Sequence, residues 1–501
     1  MDSIMPFGTG AWIFIGLYLV SLIGIGFLGK RACREDTLKD FYLAGNGFGF
    51  AILFLTLFAT QYSGNTFFAF TGATYRIGYA WILSLHFMTA VIVCYLIYAP
   101  RLYALAKARG YVTPSDYVDD RFGSNALTLI VTMTLIVVLC NFLVAQLMAM
   151  GRAMQGLAQL NADTAYIGGV IVLALIMVIY GTLGGLRAVA WTDAIQGVIL
   201  ALGFGVLLVL LFDRYGPLLD ATRVLMERDF SGSTRKALPP SPLRYREWLS
   251  YILTAGFAVS LYPQAIQRIY AARSDTALRR SLAVMAFMPL PTMIIALIAG
   301  IMAAAYIPGL EGAASDQVFG RVLRDIQEHS SIGYGLVVVL LAAVLAAMMS
   351  TADSALLSIS SMFTQNIYAR FLRPQSTQAH LTRVAKNCSW VTIAALVLVA
   401  IALRHHASLI AIMDRKLDLL VQMVPIFMLG VRWAGLAAGP TLAGLCVGLF
   451  IALLLPFGGF EFVHNGKIAG FHPGLIALGP NLAIAVGGSR FLYRAQLKNR
   501  R

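Results

Sequence analysis

The chain has 501 residues, 59% of them hydrophobic and only 12% charged, with 38 Lys and Arg against 23 Asp and Glu for a net charge of +15. So apolar a composition excludes a water-soluble protein and predicts an all-α, polytopic membrane protein. The positive balance reads as an anchor against anionic lipid headgroups rather than a nucleic-acid surface. Five cysteines, at spacings that fit no metal motif, predict neither disulfides nor a metal cluster.

Apolar windows of about 20 residues, the length a bilayer core requires, begin with 8 to 28. The segment ahead of it carries Asp2 and no basic residue, unlike a cleaved signal peptide, so this span is expected to stay. The second window, 48 to 70, is interrupted by polar residues from Ala59 to Thr66, which hydrophobic burial does not explain. An unwound turn there offers the carbonyls of Ala59 and Tyr62 and the side chains of Gln61, Ser63, Asn65 and Thr66. Windows at 78 to 100, 125 to 149, 164 to 183 and 189 to 212 follow, with His86, Asn141 and Gln146 as polar exceptions. After an outer loop, 213 to 246, the seventh window (247 to 265) breaks at Ser260-Leu-Tyr262-Pro263-Gln264, where proline removes a backbone donor. A plain proline kink is the alternative. The two interruptions lie five spans apart, the arrangement an inverted repeat of five helices gives.

Windows at 282 to 306 and 333 to 360 come next, and the second of these holds the most pointed cluster in the chain. On a helix, Ala347, Ser350 and Thr351 stand at i, i+3 and i+4, so a carbonyl and two hydroxyls share one side, with Asp353 and Ser354 just below. Neutral oxygens suit a monovalent hard cation better than a divalent one, which predicts sodium; the competing reading is that small residues let membrane helices pack closely. The last windows are 387 to 404, 407 to 430, 434 to 455 and 471 to 489, for thirteen in all. In the span from 407 the run Asp414-Arg-Lys-Leu-Asp418 reads either as an internal ion-pair cluster at the outer end or as a source of Arg415 or Lys416 for an anionic solute. Basic residues such as Lys30, Arg31, Arg34, Lys39, Arg268, Arg273, Arg279 and Arg280 fall in loops on one side, which predicts the N-terminus outside and the C-terminus inside.

Several stretches together resemble one family, the sodium:solute symporters, which move sugars, proline, pantothenate, monocarboxylates and sialic acid. They are Asp40 to Asn46, Gly110 to Tyr117 with Arg121-Phe-Gly-Ser124, Tyr180 to Gln196, Gln267-Arg268, and the Ser350-Thr351 stretch. The resemblance implies a LeuT-type core of two inverted five-helix repeats, 48–212 and 247–430. An additional helix and basic inner loop (1–47) precede it, the outer loop (213–246) divides it, and two helices and a basic tail (431–501) follow. It implies alternating access and a sodium ion between the broken first core helix and the eighth. That ion would be held by the carbonyls of Ala59, Tyr62 and Ala347 and the hydroxyls of Ser350 and Thr351. A second sodium site in some members matches Ser350, Asp353, Ser354 and Asp193, with Asp353 standing where such sites often use a hydroxyl.

Gln61 occupies a position that is acidic in proline-transporting members, and the Asn and Gln pairs of sugar members are missing around Tyr262, so the solute stays open. Candidate solute-binding residues are Gln61, Thr66, Tyr262, Gln264 and Gln422. Unwound amides near Ser63 to Thr66 suit a carboxylate, which leans the expectation to a small organic acid or amino-acid-like solute. The expected function is sodium-coupled symport in the cell (inner) membrane, with sodium, solute and lipid as partners and no catalysis. The rivals are proton coupling through Asp353 or Asp193, a membrane sensor, and an intramembrane enzyme. No kinase or receiver sequence follows Arg501 and no His-Glu metal motif appears, so the last two are the weaker expectations.

Overall fold

The computed structural model describes residues 9–33, 35, 37–62, 67–155, 162–232, 234–311, 315, 317–329, 333–404, 409–464 and 466–498. Helix dominates, as it must where no water is at hand to satisfy backbone groups. The first part of the chain forms α1 (Thr9–Arg31), α2 (Leu38–Leu43), α3 (Phe50–Gln61), α4 (Ala69–Ile77), α5 (Leu83–Arg109), α6 (Pro114–Phe122), α7 (Asn125–Gln155), α8 (Ala162–Tyr215) and α9 (Leu218–Phe230). The second part forms α10 (Pro242–Ser260), α11 (Pro263–Ala271), α12 (Asp275–Met285), α13 (Pro289–Tyr306), α14 (Val318–His329), α15 (Gly333–Met362), α16 (Gln378–Ala402), α17 (Leu409–Leu420), α18 (Ala438–Phe457) and α19 (Pro473–Lys498). A two-stranded hairpin, β1 (Val463–His464) with β2 (Lys467–Ile468), lies between α18 and α19.

Among the described residues, nine helices are long and apolar enough to span a membrane, or ten if α10 and α11, bent by 50° at Leu261–Tyr262, count as one. The expected windows map onto this set with instructive differences. The windows at 164 to 183 and 189 to 212 fall in the 54 residues of α8, divided at Gly185, whose φ of 56° marks a kink. The window at 48 to 70 is broken, leaving α3 with only 12 residues, and the window at 407 to 430 yields the 12 residues of α17 before the helix tightens at Val421.

The most enclosed element is α15, which packs against α3, α7, α8 and α16 at the centre of the molecule. By contrast α1, α16, α18 and α19 expose large apolar side chains such as Leu17, Val391, Phe450 and Phe491, as a lipid-facing rim does. The two interrupted helices are tied together where α3 begins and α11 ends: Phe48 N donates to Ala271 O (3.2 Å) and Arg273 N to Phe48 O (2.8 Å).

Much of the sequence pattern singled out above serves this scaffold. Thr113 caps α6 and Asp116 accepts from the amides of Val112 and Thr113 (2.8 and 2.9 Å), while Asn366 Nδ2 donates to Asp116 Oδ1 at 2.8 Å. Arg121 donates to the carbonyls of Gly430, Trp433, Ala434 and Leu436, closing the turn before α18. The segment between α9 and α10 is held by Asp229: burial opposes its charge, but donors on Thr234 and the amides of Lys236, Ala237 and Leu238 outweigh that and hold the carboxyl below its usual range.

Candidate ion and solute site

Where α3 ends, Tyr62 leaves helical geometry (φ −102°, ψ 100°), and the last carbonyls of a helix take partners from outside it. One of them is met by α15. Ser350 Oγ donates to Ala59 O at 3.0 Å and lies 3.2 Å from Ala347 O, which also accepts from Thr351 Oγ1 at 3.0 Å. All four residues are fully buried, and Tyr62 is buried beside them. Two carbonyls and two hydroxyls are thus gathered across the α3–α15 boundary, and each hydroxyl proton rotates away from an entering cation at little cost because its carbonyl partner then also faces the ion.

One turn further along α15 the chemistry is ionic. Arg268, on α11 and 0% exposed, donates from Nη2 to Asp193 Oδ2 (2.6 Å) and Ser354 Oγ (2.5 Å), and from Nε to Thr56 Oγ1 (2.8 Å). Thr56 also donates to Asp193 Oδ2. Asp353 is oriented by Tyr180 Oη on one oxygen (2.6 Å) and by Ser354 Oγ on the other (3.1 Å). Asp193 Oδ1 has no hydrogen-bond partner. One guanidinium therefore faces two carboxylates, and it pairs with only one. Among the described residues Asp353 forms no ion pair with Lys or Arg.

The solute candidates divide. Tyr262 sits in the break between α10 and α11 with its ring stacked on Phe142 of α7 (centroids 5.1 Å apart, planes at 11°). Gln264 and Gln146 are buried on the same two elements, and neither side-chain amide has a hydrogen-bond partner among the described residues. Gln61 is half-buried at the end of α3. Thr66 lies outside the described residues, with Ser63 and Asn65. Gln422 is placed elsewhere: it donates to Asp418 O (3.2 Å) and Gly474 O (2.8 Å) and accepts from Asn481 Nδ2, tying the end of α17 to α19. Its buried amide was read as a ligand, but α19 consumes its polar capacity. His86 is exposed, its ring against Trp248.

Arg268, expected in a basic loop because it follows the apolar window 247–265, is instead fully buried on α11. Thr56, inside an apolar window and without a motif around it, carries no signal of its part in this cluster.

Apolar helices, two of them broken around a buried polar centre, define a membrane transporter. The model of the sodium:solute symporter family matches residues 41–448, and the chain belongs to that family. The "Sodium/pantothenate symporter" of Escherichia coli is 24% identical over 482 residues, covering 95% of each chain. The "Monocarboxylate transport permease protein" of Rhizobium johnstonii is 25% identical over 496 residues, covering 96% of each. Among solved structures, a substrate-bound outward-open state of a Na+-coupled sialic acid symporter aligns with a TM-score of 0.78 at 19% identity, over 97% of this chain and 98% of that one, and shares the fold. The relatives are transporters, not enzymes, and sodium-coupled solute symport is the activity their family defines.

Proposed function

We propose that this protein is a sodium-driven importer of a small organic solute, working by alternating access in the cytoplasmic membrane, with its N-terminus outside and C-terminus inside. The coupling sodium is held by the carbonyls of Ala59, Tyr62 and Ala347 and the hydroxyls of Ser350 and Thr351. The observation that carries this reading is the bridge made by Ser350 between Ala59 O and Ala347 O across α3 and α15. An ion seated among those oxygens, with the Ser350 hydroxyl proton turned away from it, cross-links the two elements, so its binding favours the arrangement in which they meet. The solute lies between the broken helices and α7, with Gln61, Thr66, Tyr262 and Gln264 as its ligands, and is a carboxylate or amino-acid-like molecule.

A second cation is assigned to Asp353, Ser354, Ser350 and Asp193, because Arg268 matches Asp193 and leaves Asp353 without a basic partner. Sodium or a proton meets that need, and transport driven by a proton gradient in choline would identify the proton. The decisive experiment is solute uptake into vesicles in sodium against choline, for the native protein and for Ser350→Ala with Thr351→Ala. Sodium-driven uptake should disappear in the double variant while the protein remains folded; unchanged sodium dependence there removes the site.

A further inference from the structure

The charged run on α17 is divided by the structure into members that neutralise one another and one that does not. Arg415 Nη1 pairs with Asp418 Oδ2 at 3.1 Å, and Arg415 Nη2 donates to Gly466 O at 3.1 Å. Asp418 Oδ1 accepts the amide of Gly474 at 2.8 Å. Asp414 accepts from Tyr251 Oη at 3.3 Å and faces His472 Nε2 at 3.7 Å. These residues form the internal cluster that one reading of the sequence expects, tied to the hairpin and to α19.

Lys416 is left out of it. The side chain is 1% exposed, and among the described residues its ammonium makes no hydrogen bond and no ion pair. It lies over the ring of Phe142, 3.6 Å from the centroid, and 5.5 Å from the ring centroid of Tyr262. Aromatic faces offset part of the cost of burying a cation but supply no counter-charge. The ammonium therefore lies against α7 and the break between α10 and α11.

A second observation marks the same place. Gln146 follows Phe142 by one turn of α7 and Gln264 follows Tyr262 by two residues, so the two aromatic rings under Lys416 belong to the elements that carry both unsatisfied amides. An unpaired amide offers a donor and an acceptor, and a buried one is costly until something meets both. One positive charge without an ion pair and two side-chain amides without partners among the described residues, all at least 99% buried, describe a ligand that is anionic and also carries hydrogen-bonding groups.

We propose that Lys416 is the counter-charge for a carboxylate on the transported solute. Phe142 and Tyr262 hold its ammonium in place, and Gln146 and Gln264 bind hydroxyl or amide groups on the same molecule. The proposal rests on the sodium-symport reading above and narrows it to small organic anions. The charge of the solute then offsets that of the lysine and removes the penalty of the empty site, so neutral analogues bind poorly.

The test compares acids with their uncharged counterparts on the purified full-length protein. Thermal stability is measured in saturating sodium or in choline with pyruvate against pyruvamide, L-lactate against L-lactamide, and pantothenate against panthenol. Ligands raise the melting temperature by mass action, so at least one acid should raise it in sodium while its neutral partner does not. In Lys416→Met, which keeps the volume and loses the charge, the stabilisation by sodium alone should persist. The acid's apparent affinity should fall by on the order of 30-fold or more, the scale expected when one partner of a desolvated charged pair is removed. Equal effects of acid and neutral partner on the native protein, needing no variant, overturn the proposal. So does an unchanged acid response in Lys416→Met, or the absence of any acid response in a protein that sodium alone stabilises. Absence of any sodium effect in the native protein instead removes the symport reading on which the proposal stands.

Discussion

At the scale of single residues, Arg268 does the work of three. Its guanidinium joins Thr56 of α3, Asp193 of α8 and Ser354 of α15, so one side chain fixes where two helices meet the first broken one. Such a pair is valuable chiefly because removing one member strands the other in a low-dielectric interior. Arg268→Met should therefore lower stability by about 3–5 kcal/mol, and Arg268→Met with Asp193→Asn should recover much of that loss. Thermal midpoints of the two variants in detergent check both. Equal destabilisation by single and double variants would mean that packing of the arginine stem, not charge pairing, is what matters. Asp353 behaves differently: its partners are hydroxyls, which orient a carboxylate without neutralising it.

At the scale of elements, the fold depends on where helices stop. Gly185 divides α8 with φ 56° and ψ −150°, and a Cβ there would stand 2.3 Å from Phe41 O. That backbone region belongs to glycine, and other residues held in it cost about 1–3 kcal/mol before any clash is counted. Gly185→Ala should lower the thermal midpoint and displace α2, which carries Asp40, whose carboxylate is held by Arg187 at 2.8 Å two residues beyond the kink. Loss of protein yield in the membrane, with recovery at lower growth temperature, is the expected signature. The segment from Tyr180 to Gln196 is therefore dense in motif residues for a local reason. It supplies Tyr180 to Asp353, the glycine kink, Arg187 to Asp40, and Asp193 to Arg268, all from one continuous stretch.

At the scale of the whole molecule, the uneven distribution of Lys and Arg and the lipid-facing rim have to agree on an orientation. A cysteine introduced at Arg235, in the outer loop, should react in intact cells with a membrane-impermeant maleimide. One introduced at Arg279, at the start of α12, should react only in inside-out vesicles. The reverse pattern would overturn the proposed orientation, N-terminus outside and C-terminus inside.

The sequence by itself determined the membrane class, the helix-breaking positions and the oxygen cluster on α15, because each is local: hydropathy sums over about 20 residues, proline and glycine act on their own backbone, and Ala347, Ser350 and Thr351 share a face by helical periodicity. Family membership was legible for the same reason, since short motifs in order survive low identity. Tertiary structure alone decided what each polar residue faces. Gln422 and Lys416 lie six residues apart in the chain, and nothing in the sequence distinguishes an amide that α19 satisfies from a cation left against two aromatic rings. Partners of buried groups come from residues distant in the chain, 212 positions apart for Arg268 and Thr56. In a low-dielectric interior that pairing, more than residue type, fixes whether a polar side chain is scaffold or is left free for a ligand.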